Sequence, residues 1–339
     1  MLLASSAISF AEDAYIPVYT LDDLAAMGRS PWGRYRLMND IDMGSVEWVP
    51  MPFSGEFDGG GHCLYNLRVV APGPDSRITR DGNRKEYDTV FLGLFSVLDG
   101  ASVHNLRITG AYVATENTGH CFAAILAGMM DRSSVSAVFV SGRVHMTNRA
   151  VMAGVAGVVG YGCGTLDRCE ARVELVFEDR NLESRCEEFM GGILACGIGT
   201  VNACSVDIDG YDSCHGYVHN GGLVGMYYHC GMEYDEAPVT NNIISGRITF
   251  FEENPDRRAY CEATVGEPLS KPTRTNGNID TFESQETKNY DVVLLPETCE
   301  VPAYETLVTP PTAASWGYTQ HRCSGCGYHW TDSYTPPRG

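Results

Sequence analysis

The chain has 339 residues, enough for one long β-domain with an appendage or for two ordinary domains, and enough to bury a sizeable core without staples. Lys and Arg number 24 against 43 Asp and Glu, and the resulting formal charge of −19 argues against nucleic acid as a partner. Apolar residues at 44% and aromatics at 10% exclude wholesale disorder, while 37 Gly favour a turn-rich β-protein over a helical one.

Met1 to Ala11 reads MLLASSAISFA, an apolar stretch ending in small residues before Glu12-Asp13. It fits the hydrophobic part and cleavage site of a signal peptide without the basic start, so residues 1–11 are read as a truncated signal. No later run approaches the roughly 18 apolar residues of a transmembrane helix. The expectation is an exported protein with no transmembrane segment. Next, Thr20-Leu21-Asp22-Asp23-Leu24-Ala25-Ala26-Met27 has the signature of a short capped helix, with Thr20 at the N-cap and two acids in the first turn. Such a helix would cover the open apolar end of a stack, and Tyr35 to Met43 would form the first coil.

A repeat follows. Blocks of small, apolar, apolar, small residues recur as Gly93-Leu94-Phe95-Ser96, Ala124-Ile125-Leu126-Ala127, Gly154-Val155-Ala156-Gly157, Gly192-Ile193-Leu194-Ala195 and Gly222-Leu223-Val224-Gly225, spaced by 31, 30, 38 and 30. After each block comes a run such as Ser102–Ile108, Ser134–Val140 or Thr200–Val206, in which every second side chain is apolar and β-branched residues are prominent. Gly110, Gly142 and Gly210 close these runs, so each coil reads as strand, turn, strand. One coil cannot cover its own apolar face, and stacking coils at the strand spacing gives a parallel β-solenoid. Leu106, Val138, Cys169 and Cys204 hold equivalent places and should form one inward ladder. Cys169 and Cys204 then meet on adjacent coils, where parallel side-chain vectors favour packed thiols over a disulfide.

Phe53-Ser54-Gly55-Glu56-Phe57-Asp58-Gly59-Gly60-Gly61-His62 and Leu64-Tyr65-Asn66-Leu67, with Asn39-Asp40-Ile41-Asp42, Trp48-Val49-Pro50 and the block Gly222–Gly225, closely resemble bacterial surface proteins of the GLUG-motif family, over roughly residues 15 to 250. The resemblance implies a right-handed parallel β-helix in secreted, adhesin-like cell-surface proteins, including non-catalytic N-terminal parts of some large surface proteases. The chain departs from the pattern in its 13 Cys and in an insertion around Asp179 to Glu188 that makes the third coil irregular. Pro310 to Pro336 resembles one copy of a short Cys-containing repeat found at the ends of exported proteins of gut-type Firmicutes. The expected organisation is a signal remnant at 1–11, an all-β parallel β-helix with a helical cap at 12–250, an irregular coil and connector at 251–300, and a small CxxC-containing unit at 301–339.

Candidate chemistry is sparse. Cys323 and Cys326, with His321 and His329 nearby, are weak zinc candidates, because one CxxC supplies half a tetrahedral site; a local disulfide or free thiols is the preferred reading and no metal or cofactor is assigned. Asp207, Asp209 and Asp212, and the pair Asp40 and Asp42, could gather a hard cation or act as acid and base, but a solvated strand face is the preferred reading. Asp58 before Gly59-Gly60-Gly61 reads as a tight turn, and His62 as a stacking residue. Arg143, Arg172 and Arg247 could meet Asp207 or Asp209, and Tyr227, Tyr228 and His229, or Phe250 and Phe251, could form an aromatic platform for sugars. Leu295-Pro296-Glu297-Thr298-Cys299 resembles a sortase signal with Cys for Gly and is not assigned as an anchor. No catalytic residue is assigned and the ligand-binding residues are not identified. The expected function is a non-catalytic, extracellular or surface-associated β-helix that binds host or bacterial glycans or proteins; the alternatives are a β-helix polysaccharide lyase or glycoside hydrolase, and a structural spacer.

Overall fold

The computed structural model describes residues 15–73, 76–80, 86–117, 119–148, 152–179, 187–213, 217–228, 237–251, 259–268, 274–287, 304–310, 317–323 and 329–335. The alternation of apolar residues turns into columns. Phe57, Val103, Val135, Leu166, Val201 and Val239 occupy one register position on successive coils, and Ile41, Leu64, Ile108, Val140, Ala171, Val206 and Ile244 another. Each of these side chains is buried in one continuous core. Burying a Val, Leu or Ile contributes about 1.5–3 kcal/mol, so each added coil stabilises its neighbours through several such contacts.

Three parallel sheets carry the columns, so the all-β fold is a parallel β-helix. Sheet A includes Arg34–Leu37, Glu56–Asp58, Ser102–His104, Ala127–Ser136, Val159–Asp167 and Leu194–Asn202. Sheet B includes Cys63–Tyr65, Arg107–Asn117, Phe139–Asn148, Glu170–Asp179, Ser205–Asp212, Ile243–Phe251 and Ile279–Thr287. Sheet C includes Glu86–Leu92, His120–Ala124, Met152–Ala156, Glu187–Gly191, Tyr217–Gly221 and Ala259–Glu262, with Ser76–Arg80 added antiparallel at its first strand. The helix Leu21–Ala26 starts in a capping box: Thr20 Oγ1 accepts from the Asp23 N–H, and the Asp23 carboxylate accepts from the Thr20 N–H. Leu24 and Met27 are fully buried against the first coil. Among the described residues no helix is long and apolar enough to cross a membrane.

Four expectations are corrected. From Glu56 to Glu262 the coils carry three strands, not two. The run Ser102–Ile108 bends at Asn105, which adopts φ 54°, so its halves lie in sheets A and B. Gly110, Gly142 and Gly210 lie inside strands of sheet B and close nothing. The four-residue blocks span the C-to-A corner, and the equivalent of Ala124–Ala127 on the next coil is residues 156–159, two residues beyond the sequence match at Gly154. Gly154 is small for another reason: a Cβ there would lie 2.7 Å from the Phe122 ring. The solenoid also continues past residue 250, since Ile279–Thr287 pairs in parallel with Ile243–Phe251, and Val265–Pro268 with Val224–Tyr227. Beyond it, Tyr304–Thr309, Gly317–Cys323 and His329–Thr335 form a separate antiparallel sheet. Residues 1–11, the segment Leu295–Cys299, Cys326 and the side chain of Cys323 lie outside the described residues.

The ladder of Leu106, Val138, Cys169 and Cys204 is present and continues through Asn242 and Asn278. Cys204 Sγ accepts from the Cys169 N–H at 3.4 Å and donates to Leu166 O at 3.6 Å. One coil on, the Asn242 amide accepts from the Cys204 N–H at 2.8 Å and donates to Val201 O at 3.1 Å, and Asn278 repeats this on Asn242 and Val239. Both thiols are free, as the packed-thiol reading expected. Contact with Cys169, together with burial, pushes the Cys204 thiol well above its ordinary pKa.

Candidate binding groove at the corner between sheets A and B

Five successive coils turn from sheet A to sheet B through a non-glycine residue with positive φ: Asn105 at 54°, Ala137 at 51°, Arg168 at 51°, Ala203 at 51° and Asn241 at 60°. Left-handed backbone costs a residue with a Cβ roughly 1–2 kcal/mol, and the ladder just inside the corner offsets it by holding the following residue. Because the turn recurs at one place, the next outward residues also stack, as Arg107, Phe139 and Glu170. With Arg36, Asp58, His62, Asn105 and Arg168 they line an open groove of about 760 Å³ along the first five coils.

The N-terminal end of the groove is an ion network. Arg36 Nε and Nη2 donate to Asp58 Oδ2 at 2.8 Å, and Asp58 Oδ1 accepts from the Gly60 N–H at 2.9 Å and the Asn105 amide at 3.3 Å. Burial alone would raise the Asp58 carboxyl, but the Gly60 N–H, the Asn105 amide and the Arg36 guanidinium together hold it below its ordinary pKa. Beside it, Glu56 accepts from the Tyr15 hydroxyl, from Arg34 Nε at 2.7 Å and from His104 Nε2 at 3.2 Å. The Tyr15 and Arg34 hydrogen bonds bring its pKa down to about 2. The Arg34 and Arg36 guanidinium carbons sit 4.6 and 4.3 Å from the Tyr15 ring centroid.

Farther along, the Arg107 and Arg172 guanidinium carbons lie 4.7 and 5.7 Å from the Phe139 centroid. Arg172 is bound to Glu170 at 2.8 Å and Arg168 to its neighbour Asp167 at 2.8 Å. His62 Nδ1 lies 3.4 Å from Asp40 Oδ1, so the imidazole lines the groove in addition to its place in the stack.

Most sequence candidates lie elsewhere. Asp207 and Asp209 point outward on sheet B, where Asp209 meets Arg247 at 3.3 Å and Asp207 accepts from Ser245 Oγ at 3.4 Å. Asp212 is 1% exposed and takes the position of Phe177 and Phe250 on neighbouring coils, so the three aspartates do not converge. Arg143 lies 3.8 Å from Glu174 and Arg172 binds Glu170, which leaves Arg247 alone of the three to meet Asp209. Asp40 accepts from the Cys63 N–H of the next coil, and Asp42 closes a local turn by accepting from the Gly44 N–H and ties to the next coil through the Asn66 amide. Asp58 forms the expected turn, with Gly60 and Gly61 at φ 60° and 79°. Tyr227 is fully buried, its hydroxyl donating to Ala237 O, and Phe250 is buried, so neither belongs to an exposed platform; His229 lies outside the described residues. Instead Phe122, Phe189 and His219 stack on the outward side of sheet C, at centroid distances of 5.9 and 5.2 Å, and form a second buried cluster with Tyr161. Among the described residues no group of three or more His, Cys, Asp and Glu could hold a metal ion.

No family model matches the chain, and no curated protein matches it. Among solved structures, the crystal structure of a putative immunoglobulin A1 protease from Bacteroides ovatus is similar, with 13% identity, a TM-score of 0.49, and coverage of 82% of this chain and 79% of that one. So distant a likeness carries no argument about what this chain does.

Proposed function

We propose that this chain is an exported, surface-associated, adhesin-like protein of the GLUG-motif type that binds glycans or proteins through its β-helix and catalyses no reaction on them. The observation that carries the reading is the corner groove. It offers guanidinium donors, the Asn105 amide, an imidazole and the Phe139 side chain, a surface suited to hydroxyl-rich or polar chains. Its buried carboxylate, Asp58, is held ionised by three donors, which removes it as a proton donor near neutral pH. A solenoid repeats such contacts coil by coil, so many weak interactions add along an extended ligand.

The test incubates the purified full chain with mucins and with plant and bacterial polysaccharides, recording retention and new reducing or unsaturated ends. Retention without cleavage is expected. New chain ends would overturn the reading in favour of a β-helix enzyme, and the absence of retention by every glycan and protein offered would leave a spacer.

A further inference from the structure

We infer that the corner groove selects anionic sugars, binding a carboxylate or sulfate through Arg107 while the sugar ring packs beside Phe139. This rests on the binding reading above and names its ligand class. The first observation is charge. In a chain of net −19, the groove wall carries three guanidiniums, Arg36, Arg107 and Arg168, against two carboxylates, Asp58 and Glu170. The second is how those charges are used. Arg36 and the adjacent Arg172 are each held by a carboxylate across short bonds, and Arg168 by its own neighbour Asp167. Among the described residues Arg107 forms no ion pair; its guanidinium is steadied by the Phe139 ring, so its donors face the groove and remain to be met.

The third observation is spacing. Arg107, Phe139 and Glu170 follow one another at the rung repeat of about 4.8 Å, close to the advance of one residue along an extended pyranose chain. A glycan lying along the solenoid axis therefore meets Arg107 with one residue and Phe139 with the next. Arg168 is two-thirds exposed, and its surface pair with Asp167 is weak enough to exchange for a ligand anion a further rung along. Guanidinium donors match carboxylate and sulfate oxygens in a planar, paired geometry, whereas a neutral sugar leaves the Arg107 charge unanswered.

The experiment measures binding of the full chain by titration calorimetry to an oligogalacturonate, to its methyl ester, to a neutral cello-oligosaccharide and to a carrageenan oligosaccharide, a sulfated galactan without carboxylates. The expected result is binding of the galacturonate or the sulfated glycan at least tenfold tighter than the ester and the cello-oligosaccharide, weakening with added NaCl. Arg107→Gln should lower that affinity about tenfold and Arg107→Lys less, while Arg247→Gln on the open face of sheet B leaves it unchanged. Circular dichroism confirms that each variant is folded. Whether galacturonate or the carboxylate-free carrageenan binds better separates the carboxylate source from the sulfate source, and Arg107 dependence in either supports the inference. Equal affinity for acid and ester, or an Arg107→Gln protein that binds as well as the wild type, would overturn it. Retention of neutral glycans or proteins alone would sink this inference and leave the binding function standing; retention of nothing would sink both.

Discussion

Asn242→Leu tests the inner ladder. The leucine is close to isosteric and more apolar, so a core held only by burial would accept it. Asn242 instead has a polar role, because its amide accepts from the buried Cys204 N–H at 2.8 Å, donates to Val201 O at 3.1 Å and contacts Asn278 Oδ1 at 3.0 Å. The substitution removes the side-chain partner of one buried N–H and one buried carbonyl, at about 1–3 kcal/mol each. Added apolar burial offsets roughly 1 kcal/mol of this, leaving a net loss of about 1–5 kcal/mol. Cys204→Ala is the internal comparison. Its thiol makes the same two contacts at 3.4 and 3.6 Å, long and weak, so its loss should cost about half as much. Urea unfolding followed by circular dichroism reads both, with the slope checked because solenoids need not unfold in one step. A midpoint for Asn242→Leu equal to wild type, or below which Cys204→Ala falls, would refute the assignment of hydrogen bonding to this ladder.

Thiol chemistry gives a second expectation. Burial raises Cys63 to about 11, and contact with Cys169 together with burial raises Cys204 well above its ordinary pKa, so iodoacetamide at pH 8 should leave both unlabelled in the native protein and label them in urea, read by peptide mass spectrometry. Glu56 sets an acid limb. Its folded pKa of about 2 lies below the unfolded value near 4.5, so its contribution is present above pH 4.5 and is lost as pH falls toward 2; Glu56→Gln should flatten stability against pH in that window, measured by urea midpoints at successive pH values. Gly162 tests the stacking of sheet A: at φ 132° an added Cβ would lie 1.8 Å from Met130 O, and Gly162→Ala should cost at least ~3 kcal/mol or prevent folding, visible as loss of soluble protein or of the thermal transition.

Parts of this architecture are legible in the sequence because they are local. Thr20 with Asp22 and Asp23 announces the cap, Asp58 before three glycines announces its turn, and the alternation in Ser134–Val140 announces strands with a fixed inward side. Sheet C is hidden for a physical reason. His120–Ala124 and Met152–Ala156 are buried on both faces, one against the core and the other against the cluster of Phe122, Phe189 and Tyr161, so their apolar residues do not alternate. The corner turn is hidden because Asn105 and Asn241 advertise positive φ but Ala137, Arg168 and Ala203 do not. The groove is the least legible part. The alignment of Leu106, Val138 and Cys169 already places Arg107, Phe139 and Glu170 side by side, but the sequence does not show that the Arg107 guanidinium lies over the Phe139 ring or that Arg36, Asp58 and His62 line the same groove.

On the binding reading proposed above, recognition falls at the corner because the open face of sheet B pairs its charges with one another. Across that face Arg143, Glu174, Asp209 and Arg247 follow one another on successive coils, and opposite signs meet as Arg143 with Glu174 at 3.8 Å and Arg247 with Asp209 at 3.3 Å. Such a column answers itself and leaves a ligand little to pair with. At the corner the outward column runs Arg107, Phe139, Glu170, where a guanidinium precedes a ring and keeps its donors. The double variant Asp209→Asn with Arg247→Gln therefore provides a discriminating test of where ligand binds. Both side chains are more than half exposed, so the pair is worth less than ~1 kcal/mol and the fold should hold. Glycan retention on an affinity gel should match the wild type, whereas Phe139→Ala should lower it. Loss of retention in the double variant with retention intact in Phe139→Ala would move the binding surface from the corner to the open face of sheet B.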